Sequence, residues 1–179
     1  MFTSDQQKTL LNIARETIRA VSKNQNMPLF DIKDEKLNQS MGAFVTLTID
    51  GELCGCIGSI EGRGPLWKTI EEMAVSAAFR DPRFPAVSAQ QTEKLRIEIS
   101  VLSPLEKIDD IDEIQVGKHG LYIKSAYSSG LLLPQVASER NWDRLTFVQH
   151  TCRKAGLPAD AWQNDETDIF IFSADIFSE

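Results

Sequence analysis

The chain reads as an α+β protein. Three observations carry that reading. An alternating apolar run at residues 43–50 meets Asp50-Gly51, and a second run at 52–60 returns from it. Stretches with apolar residues at helical spacing lie on either side of this pair. The remaining elements show no strict βαβ alternation.

In order, Ser4 and Gln7 form an S-x-x-Q capping-box pattern. It predicts a first helix from about residue 5 to 21, with Leu10, Ala14, Ile18 and Val21 on one face. Residues 27–39 are mixed and read as a loop with at most one short helix. In the pair that follows, Val45, Leu47 and Ile49 share one strand face, and Phe44, Thr46 and Thr48 the other. Asp50-Gly51 predicts a two-residue hairpin turn, because both positions need positive φ. Pro65, after Gly62-Arg63-Gly64, suits the first position of a second helix. That helix is expected to turn Leu66, Ile70, Ala74 and Ala77 inward and to end before Pro82.

Ser88 with Gln91 predicts another capped, short helix. Residues 95–102 alternate as a strand, with Leu95, Ile97, Ile99 and Val101 on one face. An acidic linker at 109–113 leads to the turn Gly117-Lys118-His119-Gly120. Short strands are expected at 121–123 and 131–133. A last helix starts near Asp143 and ends at Gly156, with Pro158 beyond. Residues 167–174 close the series as a strand.

The 179 residues can bury about 70% of the surface of the unfolded chain, so no staples are needed. The net charge of −7 argues against nucleic-acid binding, which draws on a basic excess to displace counterions from phosphates. No apolar run approaches the ~18 residues of a membrane span, and the first residues lack the apolar core of a secretion signal. Three cysteines, an odd number, favour a reducing compartment. A cytoplasmic location is the expectation.

Cys54 and Cys56 are two apart on a strand, so they share a face. In an unbroken two-residue hairpin register, Cys56 lies opposite Val45 and Cys54 opposite Leu47. Both thiols then face the apolar side, where cysteine behaves as a small inert hydrophobe. A bulge at Gly55 or Gly58 would change that register, and the same glycines allow close approach of a ligand. A Cys54–Cys56 disulfide is disfavoured by the i, i+2 geometry of a strand. Cys152, with Leu145, Val148 and Ala155, is read as core, and His150 as solvated surface. His119, flanked by glycines, is the candidate general acid or base, although a loop histidine without a partner fits the same pattern. Arg80-Asp81-Pro82-Arg83 offers two guanidinium groups around one turn. They can hold a carboxylate or phosphate, or Asp81 can pair locally with an arginine while Phe84 anchors the turn. No metal-ligand spacing, Walker loop, nucleophile elbow or dinucleotide fingerprint is present, so no metal or cofactor is expected.

Five segments resemble the AMMECR-type domain family, also known as protein A of the AmmeMemoRadiSam set. They are Leu53-Cys54-Gly55-Cys56-Ile57-Gly58, Ala77-Ala78-Phe79-Arg80-Asp81-Pro82-Arg83-Phe84, Val116-Gly117-Lys118-His119-Gly120, Leu132-Leu133-Pro134-Gln135-Val136-Ala137 and Lys154-Ala155-Gly156-Leu157. They stand in family order and span nearly the whole chain. The resemblance implies a single two-lobed α+β domain over 1–179: mainly antiparallel sheets with flanking helices, both chain ends in the larger lobe, a smaller inserted lobe, and a groove between lobes. It implies that Cys56 matches the hallmark cysteine and that Arg80, Asp81 and Arg83 match the arginine motif. It also implies the company of a Memo-type protein and a radical-SAM enzyme. Cys54 departs from the family, which usually carries arginine there, and this weakens an anion-binding reading of the strand.

Two functional expectations follow. In the first, Cys56 is a nucleophile assisted by His119 and acts on a small anionic substrate. Arg80, Asp81, Arg83, Gly55, Gly58 and Gln135 then shape the binding site. In the second, the same residues form a non-catalytic docking surface for a Memo-type protein or radical-SAM enzyme.

Overall fold

The computed structural model describes residues 1–179. The chain divides into two compact units, residues 1–102 with 175–179, and residues 103–174. Both termini fall in the first.

The first unit opens with helix α1 (Ser4–Ser22). Its capping box lies one residue earlier than the sequence pattern suggested. The Thr3 hydroxyl accepts from the Gln6 N–H, and the Gln6 side chain accepts from the Thr3 N–H. The apolar stripe is as expected: Leu10, Ala14 and Ile18 are fully buried. Strands β1 (Ala43–Ile49) and β2 (Glu52–Ser59) form the hairpin. Asp50 and Gly51 take φ of 51° and 85°, the conformation for which Asp-Gly is suited. Helix α2 (Leu66–Phe79) follows, with Pro65 as its N-cap rather than its first residue. The short helix expected after Ser88 is a 3-10 turn, Thr92–Lys94, and half of its capping box is present, the Ser88 N–H donating to Gln91 Oε1 at 2.9 Å.

Strand β3 (Leu95–Leu102) pairs antiparallel with β1, so Thr46 faces Glu98 and Phe44 faces Ser100. The sheet order is β2-β1-β3 with a last strand beyond β3, whose range is Ala174–Ser178. Both helices pack on one face of this sheet. There Val45, Leu47, Ile97 and Ile99 meet Leu10, Ile18, Ile70 and Ala74 in one apolar core. Burying each Leu or Ile side chain contributes roughly 1.5–3 kcal/mol, so this face fixes which way each strand residue points.

The second unit holds a four-stranded sheet. Its strands are β4 (Glu106–Ile108), β5 (Gly120–Lys124), β6 (Ser129–Leu132) and β7 (Asp168–Phe172), in the order β4-β7-β5-β6. Helices α3 (Pro134–Glu139) and α4 (Arg144–Lys154) accompany it. Asp143 caps α4 through the Thr146 N–H, and Gly156 takes the left-handed conformation expected after its end. Phe147, Val148 and Cys152 of α4 meet Leu121, Ile123, Ile169 and Ile171 in a second core. Leu145, expected inward, is exposed. His150, expected to be solvated, stacks on Trp142 with centroids 4.0 Å apart. The single closing strand of the sequence reading is two strands. The chain breaks at Ser173 and returns to the first sheet as β8 (Ala174–Ser178).

Candidate functional site

The site is built around an irregularity in the hairpin. Leu47 pairs with Gly55 but Thr48 pairs with Leu53, so Cys54 is an extra residue on β2, a bulge. From there on the register differs from the unbroken one. Cys56 lies opposite Thr46 and not opposite Val45. Its side chain therefore joins Phe44, Thr46 and Thr48 on the sheet face away from the two helices, while Gly55 and Ile57 turn inward. The expectation that both thiols share the apolar face is corrected by this one bulge.

The two thiols consequently differ. Cys54 packs against the core and donates to the Leu47 carbonyl at 3.3 Å, and burial pushes its pKa up. Cys56 is half-buried, as Cys54 is, but its sulfur lies 3.3 Å from the Thr46 hydroxyl on the other face. Cys152 is fully buried in the second unit, and burial raises it too.

β2 is an edge strand, so alternate N–H and C=O groups lack a strand partner. At Cys56 two side chains supply one. The Cys56 N–H donates to Asp81 Oδ2 at 2.9 Å, and its carbonyl accepts from Arg83 Nη2 at 2.9 Å. Asp81 also accepts from the Arg83 N–H (3.1 Å), Nε (2.9 Å) and Nη2 (2.7 Å). The carboxylate is nearly sealed from solvent, with 1% of its side chain exposed, whereas Arg83 is 54% exposed. The Arg83 guanidinium, together with the Cys56 and Arg83 amides, holds the Asp81 pKa far below the carboxylate range despite burial. Asp81 in turn raises that of Arg83. The guanidinium also lies over the Phe84 ring, 5.3 Å from its centroid. The motif thus clamps the peptide of Cys56, and Asp81 offsets most of the charge that Arg83 brings.

Arg80 does not join the clamp. It caps the C-terminal end of α2, exposed, beside a separate cavity with Val21, Met27, Met73 and Val75. Gly55 and Gly58 serve packing. A Cβ on Gly55 would stand 2.1 Å from the Ala77 carbonyl oxygen of α2, and one on Gly58 2.2 Å from the Phe44 ring. His119 belongs to the second unit and finds its partners in its own turn. Its N–H donates to the Gln115 carbonyl at 2.9 Å, and its Nδ1 accepts from the Gln115 N–H at 3.3 Å. Burial, and then Lys118, lower its pKa, so the ring is neutral near pH 7. Gln135 lies on α3 of the second unit, where its Oε1 is buried without a hydrogen-bond partner. No group of three His, Cys, Asp or Glu side chains is placed to hold a metal ion.

The first unit therefore brings together Cys56, Asp81 and Arg83, and adds Thr46, which the sequence reading did not single out as a site residue. The signal for Thr46 was its place on the polar face of β1, but only the bulge brings Cys56 to it.

The chain has clear relatives among known proteins. The AMMECR1 family model matches residues 11–177. Protein NEQ441 of Nanoarchaeum equitans is 38% identical over 177 residues, covering 95% of this chain and 98% of its own. A protein of Methanothermobacter thermautotrophicus is 41% identical over 182 residues, covering 98% and 95%. The crystal structure of protein PH0010 from Pyrococcus horikoshii superposes with a TM-score of 0.89 at 37% identity, covering 96% of this chain and 90% of that one. The chain belongs to the AMMECR1 family.

Proposed function

We propose that the sheet face carrying Cys56 is the working surface of the protein, and that Cys56 acts there as a nucleophilic thiol on a small anionic substrate. The observation that carries this reading is a thiol turned off the core face on a backbone that side chains hold in place. The Cys54 bulge turns the Cys56 sulfur off the core face, while Asp81 and Arg83 lock its peptide from the strand edge. A reactive group gains from a backbone that cannot drift, because small misplacements of a reacting atom are costly in rate. The Thr46 O–H, 3.3 Å away, can donate to the sulfur and steady negative charge there. Cys56 gives its proton to solvent, and the thiolate adds to an electrophilic carbonyl carbon of the substrate, whose C=O π pair moves onto its oxygen. The exposed part of the Arg83 guanidinium is the nearest cation for the anionic group of that substrate. The protein is proposed to serve an AmmeMemoRadiSam-type system, with a Memo-type protein and a radical-SAM enzyme as its partners.

A second reading is favoured by one specific observation: Asp81 offsets the Arg83 charge that would otherwise act on the thiol. In that reading the same face docks one of those partners without turnover. A trapping experiment separates the two. The folded protein is incubated with the small-molecule fraction of a cell extract, and its intact mass and peptides are followed. A mass increment on Cys56 that vanishes in Cys56→Ser supports the nucleophile. No increment from any fraction, together with co-purification of a Memo-type or radical-SAM protein that Arg83→Ala abolishes, supports docking instead.

A further inference from the structure

A second cleft lies on the other side of the same sheet, at the start of α2. It has a volume of about 330 Å³, and Ser59, Arg63, Lys68, Thr69, Glu61 and Glu72 contribute its polar lining. Ser59 is three residues beyond Cys56 on β2, so strand alternation places it on the opposite face from the thiol.

Three features of this cleft need explaining. Thr69 is buried as a residue, with 7% exposure, but its hydroxyl has no protein partner and is reached by solvent at the wall of the cleft. A helical threonine usually returns its hydroxyl to the carbonyl four residues earlier, as Thr151 does to Phe147. Arg63 and Lys68 flank it and form no ion pair; the Lys68 Nζ only rests 4.9 Å from the Trp67 ring centroid. Finally, the loop presenting Arg63 is fastened on both sides. The Ser40 hydroxyl donates to the Gly62 carbonyl at 2.8 Å, and Ser40 bridges Pro65. The Leu66 and Trp67 N–H groups, which a helix start would otherwise offer to an anion, already donate to the Gln39 and Leu37 carbonyls. Any anion is therefore held by side chains, with the positive end of α2 and its acid-free first turn adding a favourable field.

A guanidinium, an ammonium and a hydroxyl line the cleft, three kinds of donor that suit the three terminal oxygens of a phosphate monoester. Glu61 and Glu72, when ionised, only accept hydrogen bonds. They also cancel the two cations, so a bare anion gains little net attraction, and a ligand that adds hydroxyl donors to its phosphate satisfies both sets. We infer that this cleft binds the phosphate monoester of a small polyol. Its phosphate lies on Arg63, Lys68 and Thr69, and its hydroxyls donate to Glu61 and Glu72. This inference is independent of the chemistry assigned to Cys56.

The test is a titration of ¹⁵N-labelled protein with ribose 5-phosphate, inorganic phosphate and ribose. Saturable shifts are expected at the amides of Gly64, Lys68 and Thr69. Ribose 5-phosphate should bind at least fivefold tighter than inorganic phosphate, and ribose should have no effect. The near-isosteric Thr69→Val, with an unchanged melting curve, should weaken ribose 5-phosphate at least threefold, and Arg63→Ala/Lys68→Ala at least tenfold. Absence of saturable shifts would overturn the inference, as would equal binding by both variants or equal effects of ribose and its phosphate. Inorganic phosphate binding as tightly as ribose 5-phosphate would overturn the polyol assignment.

Discussion

Replacing Asp81 by alanine removes four accepted hydrogen bonds at once. Their loss is not uniform. Arg83 is 54% exposed, so water can replace the partners of its Nε and Nη2. The amides of Cys56 and Arg83 are less well placed, since both are partly buried where the carboxylate stood. An N–H left without an acceptor costs about 1–3 kcal/mol when buried. Two of them, with a small allowance for the weakened Arg83, put Asp81→Ala at about 3–4 kcal/mol. A change of this size lowers the melting temperature by roughly 10 °C in a chain of this length. Arg83→Ala leaves the Asp81 carboxylate with its two amide donors and exposes one carbonyl, so about 1–2 kcal/mol is expected. The assay is equilibrium urea unfolding followed by far-ultraviolet circular dichroism, with thermal melts alongside. An Asp81→Ala cost within ~0.5 kcal/mol of wild type, the range of an ordinary surface substitution, would refute the clamp. So would Arg83→Ala costing more than Asp81→Ala.

Four further outcomes are expected. Because the folded pKa of Asp81 is depressed, its contribution is full above the unfolded value of ~3.9 and is lost as pH falls below it; Asp81→Asn should therefore flatten the loss of stability between about pH 5 and 2. His119 is depressed by burial, so its share of stability is present above ~6.5 and lost as pH falls below that; nuclear magnetic resonance should show its ring titrating below the ordinary histidine range, with the Gln115 amide shifting in step. Gly55→Ala forces a methyl group to 2.1 Å from the Ala77 carbonyl oxygen and should cost about 3 kcal/mol or more in urea unfolding. Thr46→Val should slow alkylation of Cys56 several-fold while Thr46→Ser keeps the wild-type rate, measured by mass spectrometry at fixed pH.

Much of the first unit is legible in the sequence because it rests on period and turn chemistry. The hairpin at Asp50-Gly51, the inward stripe of α2 and the alternation of β3 all follow from residue spacing. The bulge does not. Nothing in Leu53-Cys54-Gly55-Cys56 distinguishes a regular strand from one that accommodates an extra residue. Since strand side chains alternate with period two, that one residue sends Cys56 to the other face. The demand becomes visible only in packing: Gly55 has to meet Ala77, and Ile57 has to reach the core beside Val45. The short strand at 106–108 and the return of the chain as β8 escaped for another reason. Three residues carry too little pattern to register, and β8 looks like a continuation of β7 until Ser173 interrupts it. The local pairing of Asp81 with an arginine was readable from the motif. That its target is the Cys56 peptide depends on a contact 25 residues away in sequence.

Cys56, alone of the three cysteines, carries its sulfur on the sheet face away from the helices, with its peptide held by Asp81 and Arg83. Native-state alkylation by iodoacetamide, resolved for Cys54, Cys56 and Cys152 by peptide mass spectrometry, reads out this difference. Cys56 is expected to be modified first, at least tenfold faster than Cys54, with Cys152 inert until urea unfolds the protein. Modification of Cys56 only on unfolding, together with Cys152, would contradict this expectation.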